Sequence, residues 1–405
     1  MTARICAAVI AAALLGGLSL AAPRAEAASI PTSCKLSPDG SIKHIFFLQF
    51  DNVHFTRDNP NVPSDLEQMP NLLNFMESNG SLLTNHHTPL ISHTSIDITT
   101  TLTGVYPDRF GVPVGNSFGL FNPDGTISSV ASFTYWTDKI ADGTPEMQAP
   151  NGRNAPAPWV PFTRAGCNVG AFSIANLEFE NITNDITTVF GANSPEAAEA
   201  SSNPTKAATD FEGIAVHCAR LSTLCAAHSA PDQLPDEPAG YGGFSALFGN
   251  ANVQPQISPN GPVLDLDGNV IADHLGNPGF PDQPGRFDPL ATQTLGYAAQ
   301  MLENGVDVVF TYIEDAHDNH AGGNTFGPGE AGYVAQLQQY DTSFGKFFAR
   351  LQADGITPAN TLFVFTADEG DHYAGAGPTN APCDGVTTAC TYDPTKTRRA
   401  RSTPI

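Results

Sequence analysis

Three short apolar runs constrain this chain more than any other feature. Lys43–Phe50 (KHIFFLQF), Val306–Ile313 (VDVVFTYI) and Thr361–Thr366 (TLFVFT) are each the length of one strand, and each leads into acidic or imidazole-bearing residues. Apolar runs without polar alternation belong to strands covered on both faces, the habit of parallel sheets packed under helices. Helical patterns lie between them. Met69–Ser78 reads as a short helix stopped by Gly80, and Pro289–Asn304 as a longer one stopped by Gly305. From about Glu330 to Ala353 an amphipathic helix places Val334, Leu337, Phe344, Phe348 and Leu351 on one face, and Val169–Ala175 is a further strand. This alternation predicts an α/β fold with a mostly parallel central sheet flanked by helices. In such sheets ligands bind at the carboxyl ends of the strands, where the acids stand here.

Charge narrows the partners. With 18 Lys+Arg against 41 Asp+Glu the net charge is −23, which excludes a basic scaffold for nucleic acid or an anionic membrane surface. An anionic substrate would need a cation other than Lys or Arg. Residues 1–27 read as a secretory signal peptide: Arg4, the apolar stretch Ile5–Ala22, then Ala25-Glu26-Ala27 as the cleavage signal. The expected mature chain, 28–405, is secreted or periplasmic, without stable membrane insertion. It keeps Cys34, Cys167, Cys218, Cys225, Cys383 and Cys390, an even set that predicts disulfides. Spacing suggests the local pairs Cys218 with Cys225 and Cys383 with Cys390, leaving Cys34 with Cys167. The stretch 191–287, dense in Pro, Gly, Asn and Asp without a sustained period, reads as a loop-rich inserted cap, with a long surface excursion as the alternative. The tail 391–405 is atypical: Lys396, Arg398, Arg399 and Arg401 crowd together without a helix or strand pattern, and a truncated C-terminus is one expectation.

The chemistry-bearing residues gather at the three strand ends: Asp51 and Asn52; Asp315, His317, Asp318 and His320; Asp368, Glu369, Asp371 and His372. Oxygen and imidazole donors of this kind bind divalent metals, and a close metal pair can clamp the attacking and leaving oxygens of a phosphoryl transfer. Each cluster alone has a plainer reading, Asp51-Asn52 as a strand-ending turn and His320 as a solvated loop. Thr88–Gly104 (TPLISHTSIDITTTLTG) supplies hydroxyls ahead of a predicted helix from Ile96 to Thr103. A hydroxyl at a helix N-terminus, ligated to a metal, is a competent nucleophile, whereas the plain alternative is an N-capping segment.

These residues resemble the alkaline phosphatase superfamily, in particular its type I phosphodiesterase/nucleotide pyrophosphatase branch: a strand ending in Asp51, the segment Thr103-Gly104-Val105-Tyr106-Pro107, and the strand end Tyr312-Ile313-Glu314. The resemblance implies a nucleophile ten residues before the glycine of the Thr-Gly pair. That residue is Thr94, with Ser95 and Ser92 as fallbacks. It also implies a metal set of Asp51, Asn52, Thr94, Asp315, His317, His320, Asp368, Glu369 and His372, with His317 and His320 as alternatives. Two divalent ions are expected, zinc first, with manganese, magnesium or calcium as alternatives. Three features are instead similar to the bacterial phospholipase C and acid phosphatase branch: Asp368-Glu369-Gly370 stands where Asp-His-Gly is usual, Asp51-Asn52 resembles a shortened Glu-Asn pair, and Asp315 to Asp318 form an Asp-x-His-Asp string.

The expected function is an exported metal-dependent phosphoesterase acting on small phosphate mono- or diesters through Thr94. The alternative is a secreted binding protein, or a truncated inactive relative, on the same scaffold. A sulfatase lacks its Cys/Ser-x-Pro-x-Arg motif here, and neither G-x-S-x-G nor a P-loop occurs.

Overall fold

The structure is a computed structural model. It describes residues 34–57, 59–88, 94–104, 106, 117–131, 159–174, 186–187, 189–226, 230–231, 245–281, 289–314, 316, 318–319, 324–368, 373–393 and 397–399. The first elements are β1 (His44–Phe50), α1 (Pro70–Asn79), α2 (Thr94–Thr103), β2 (Ser117–Phe121), β3 (Ile127–Ala131), α3 (Val160–Arg164) and β4 (Val169–Phe172). There follow α4 (Pro195–Ser202), α5 (Pro204–Phe211), β5 (Ile214–His217), β6 (Ala230–Pro231), β7 (Ser245–Phe248) and α6 (Gly249–Ile257). The chain continues through α7 (Ala291–Glu303), β8 (Val308–Ile313), β9 (Asp318–Asn319), β10 (Asn324–Thr325), α8 (Ala331–Ala353), β11 (Thr361–Ala367), β12 (Tyr373–Gly375) and β13 (Thr397–Arg399).

The central sheet has the order β11-β1-β8-β4-β5-β7-β6. Strands β11, β1, β8 and β4 are parallel. Strand β5 turns antiparallel, β7 returns to the majority direction, and two-residue β6 opposes it. The sheet is therefore mostly parallel by strand direction, as the apolar runs predict.

Strand β1 shows why those runs carry so few polar residues. Phe46, Leu48 and Phe50 are fully buried on one face among Leu72 of α1, Val253 of α6, Leu295 of α7 and Leu337 and Phe344 of α8. The rings of Phe46 and Phe347 lie 4.8 Å apart, and those of Phe50 and Phe344 5.7 Å. On the opposite face Ile45 and Phe47 join Ile96 and Ile98 of α2, Val160 of α3 and Phe211 of α5. A strand with helices on both sides is apolar at most positions, and burying one such side chain contributes roughly 1.5–3 kcal/mol.

Residues 191–287 contain more regular structure than their loop-rich composition predicts. Strands β5, β6 and β7 within them extend the central sheet. The segments IAVH and SALF are four residues each, too short to register as periodic patterns among turn residues. The basic tail also holds a strand, for β13 pairs antiparallel with β12, Arg398 opposite Ala374. Three residues leave no periodic signal. Among the described residues no helix is long and apolar enough to cross a membrane.

The disulfides are Cys34–Cys167, Cys218–Cys225 and Cys383–Cys390. The first ties the segment before β1 to the start of β4, closing a loop of 133 residues. Long closures of this kind restrict the unfolded chain most. Protein spanning 28–405, denatured without reductant, should therefore show no titratable thiol from these six cysteines, and two or more free thiols would contradict the pairing.

Candidate active site at the sheet edge

Three adjacent strands end in step. Phe50 pairs with both Ala367 of β11 and Ile313 of β8, so the next residues, Asp51, Asp368 and Glu314, leave the sheet at matching positions. The ladder continues one residue into the exits: Asp51 N–H donates to the Ile313 carbonyl at 2.9 Å, and Asp368 N–H to the Phe50 carbonyl at 2.8 Å. All three carboxyls are withdrawn from solvent, Asp368 at 0%, Glu314 at 4% and Asp51 at 9% exposure. A buried carboxylate carries a desolvation cost of several kcal/mol unless cations, protons or donors offset it. One donor is Tyr312, whose hydroxyl reaches Asp51 Oδ2 at 2.5 Å. Asn52 follows, fully buried and in the left-handed region at φ 50°. A non-glycine residue held there is uncommon, and asparagine is among the side chains that tolerate it.

Helix α2 is built against its own propensities. Its sequence TSIDITTTLT consists largely of hydroxyl-bearing and β-branched residues, which are mediocre helix formers. Burial holds it instead: Ile96, Asp97, Ile98, Thr99 and Thr100 are all buried. Asp97 lies in the first turn at 2% exposure, where the positive end of the helix favours an acid. Thr94 is the first residue of the helix and half-buried, so the helix starts two residues earlier than the sequence predicts. Gly104 ends it at φ 68°, a conformation that strains a side chain, with its N–H on the Thr100 carbonyl at 2.8 Å.

Of the residues expected to form the site, Asp51, Asn52, Thr94 and Asp368 are described. Asp51, Asn52 and Asp368 stand at the same sheet edge, and Thr94 at the start of α2. Asp315, His317, His320, Glu369 and His372 lie outside the described residues, as does the fallback Ser92. Among the described residues no group of three or more His, Cys, Asp and Glu side chains is disposed to hold a metal ion. The donors that are described are hard oxygens: two carboxylates, an amide and a hydroxyl. That chemistry suits a divalent cation of the zinc, manganese, magnesium or calcium kind.

Two buried acids near these elements are absent from the expected metal set: Glu314, which the sequence places only in the Tyr312-Ile313-Glu314 strand end, and Asp97. The signal for Glu314 was present, since it directly follows the apolar strand just as Asp51 does. Weight went to Asp315 because it opens the denser Asp-x-His-Asp string. Asp97 gave no comparable signal, as burial around the whole of a Thr-rich helix is invisible to periodicity.

Compared with known proteins, the chain matches no curated sequence. The family model described as type I phosphodiesterase / nucleotide pyrophosphatase matches residues 59–380, about four-fifths of the chain. The match takes in Thr94, Gly104, Glu314 and Asp368 and begins just after Asp51 and Asn52. With this sheet, these strand exits and a match of that extent, the chain belongs to the type I phosphodiesterase/nucleotide pyrophosphatase family of the alkaline phosphatase superfamily.

Proposed function

We propose that the protein is an exported, metal-dependent phosphoesterase in which Thr94 is the nucleophile. Family membership indicates hydrolysis of phosphoesters, and the family generally depends on divalent metal ions. The observation that carries the reading is the set of buried acids leaving β11, β1 and β8 in register. A net charge of −23 would repel a phosphate ester unless bound cations reverse the local field. Asp51, Asn52, Thr94, Asp315, Asp368, Glu369 and His372, with His317 or His320, would hold two divalent ions, zinc first among them. Bound there, the ions supply positive charge at the attacking and leaving oxygens.

The chain's own part is nucleophilic. The Thr94 oxygen attacks phosphorus, its proton passes to solvent, and the bond from phosphorus to the departing ester oxygen breaks. Water then attacks the phosphothreonine and restores the hydroxyl. The N-terminus of α2 favours negative charge at Thr94 in both steps. The substrate is a small phosphate ester, and the three disulfides together with the apolar leader support a secreted or periplasmic setting.

A panel of nitrophenyl phosphate mono- and diesters tests the reading. Thr94→Ala should fold, keep its metal and lose activity on the order of 10⁴-fold, while Thr94→Ser retains measurable turnover. Near-wild-type rates in Thr94→Ala, with loss in Ser95→Ala or Ser92→Ala, would move the nucleophile. Dialysis against excess chelator should abolish turnover, and full activity afterwards would exclude metal dependence. Asp368→Asn should lower bound metal and rate together, each at least about tenfold. Unchanged metal content in that variant would remove Asp368 from the site.

A further inference from the structure

Helix α8 carries two fully buried tyrosines seven residues apart, Tyr333 and Tyr340. Seven residues make about two turns, so both stand on one face roughly 10.5 Å apart along the axis. Their hydroxyls reach two different strand exits. Tyr333 donates to Asp65 Oδ2 at 2.5 Å, and the same oxygen accepts the backbone N–H of His54 at 2.8 Å. The Asp65 N–H returns to the His54 carbonyl at 3.0 Å, closing the segment that follows β1 into a double bridge. Tyr340 donates to the backbone carbonyl of Glu314 at 2.8 Å, at the exit of β8.

Packing alone does not call for these hydroxyls. Phenylalanine would fill the same apolar positions without burying a polar group that needs a partner. Each hydroxyl instead fixes backbone within two residues of a buried strand-exit side chain: His54 is two residues beyond Asn52, and Glu314 is itself one of the three acids. The left-handed backbone at Asn52, φ 50°, persists only where its surroundings hold it.

We propose that Tyr333, Asp65 and Tyr340 are positioning residues, a brace through which α8 fixes the exits of β1 and β8 for ligation. The inference rests on the metal-site reading above. The test uses the mature chain, stripped of metal, and measures zinc affinity by competition with a chromogenic chelator, alongside Tm and the kinetics of a nitrophenyl phosphodiester. Tyr333→Phe and Tyr340→Phe should each weaken zinc binding about tenfold or more and lower kcat, with KM changed by less than about threefold. The control is Leu337→Ala, a buried residue on the same helix face between the two tyrosines. It should lower Tm further, since it opens a cavity, and leave zinc affinity within about twofold of wild type. If Tyr333→Phe does not fold, Asp65→Asn takes its place in the comparison; if Tyr340→Phe does not fold, the Tyr333 arm decides. Wild-type zinc affinity in the tyrosine variants, or equal weakening in Leu337→Ala, overturns the brace. A wild type that binds zinc but hydrolyses no ester removes the phosphoesterase reading while the affinity comparison still decides the brace. A wild type that binds no zinc overturns both.

Discussion

Three carboxyl groups are buried side by side at one edge of the central sheet, where each needs a cation, a proton or a donor to offset its desolvation. Strands β11, β1 and β8 are aligned so that three consecutive exits present a carboxyl, and the ladder hydrogen bonds at Asp51 and Asp368 hold those exits to the sheet. Such an arrangement is unfavourable in isolation, because carboxylates out of water repel one another and lose hydration. It persists in a fold whose apolar layers are extensive enough to oppose that cost. The rings of Phe46 and Phe50 of β1 pack on Phe347 and Phe344 of α8, in the same strand that ends at Asp51. Stability and function are thus coupled along one strand, with core residues and an acidic terminus a single residue apart.

The same economy appears in the helices. Helix α8 serves the core through Leu337 and Phe344 and serves the edge through Tyr333 and Tyr340. Helix α2 is a poor helix by composition, buried through its first turns and closed by a left-handed glycine. A segment that needs tertiary burial to be helical holds its first residue only when the sheet beneath is formed. Placing the candidate nucleophile there ties its geometry to the folded state.

Much of this was legible in the sequence because it rests on uninterrupted apolar runs. Strand β1 starts one residue after its predicted boundary and β11 ends one residue beyond its own, and α8 matches its amphipathic stripe. Strands β5, β7 and β13 were not legible, since three or four residues cannot display a period and their stability comes from neighbours distant in sequence. The site divided the same way. Asp51 and Asp368 could be read because each closely follows an apolar run. Between Glu314 and Asp315 composition favoured the second, whereas only strand register shows that the first leaves β8 level with Asp51.

The proposed function requires that the acids at this edge assemble around divalent cations. Crystals of the protein grown with zinc, measured at the zinc absorption edge, test it directly. An anomalous peak within about 2.0–2.2 Å of carboxylate oxygens of Asp51 or Asp368 is the predicted result. Zinc located only elsewhere on the molecule, with both carboxylates hydrogen-bonded to protein groups alone, would contradict it.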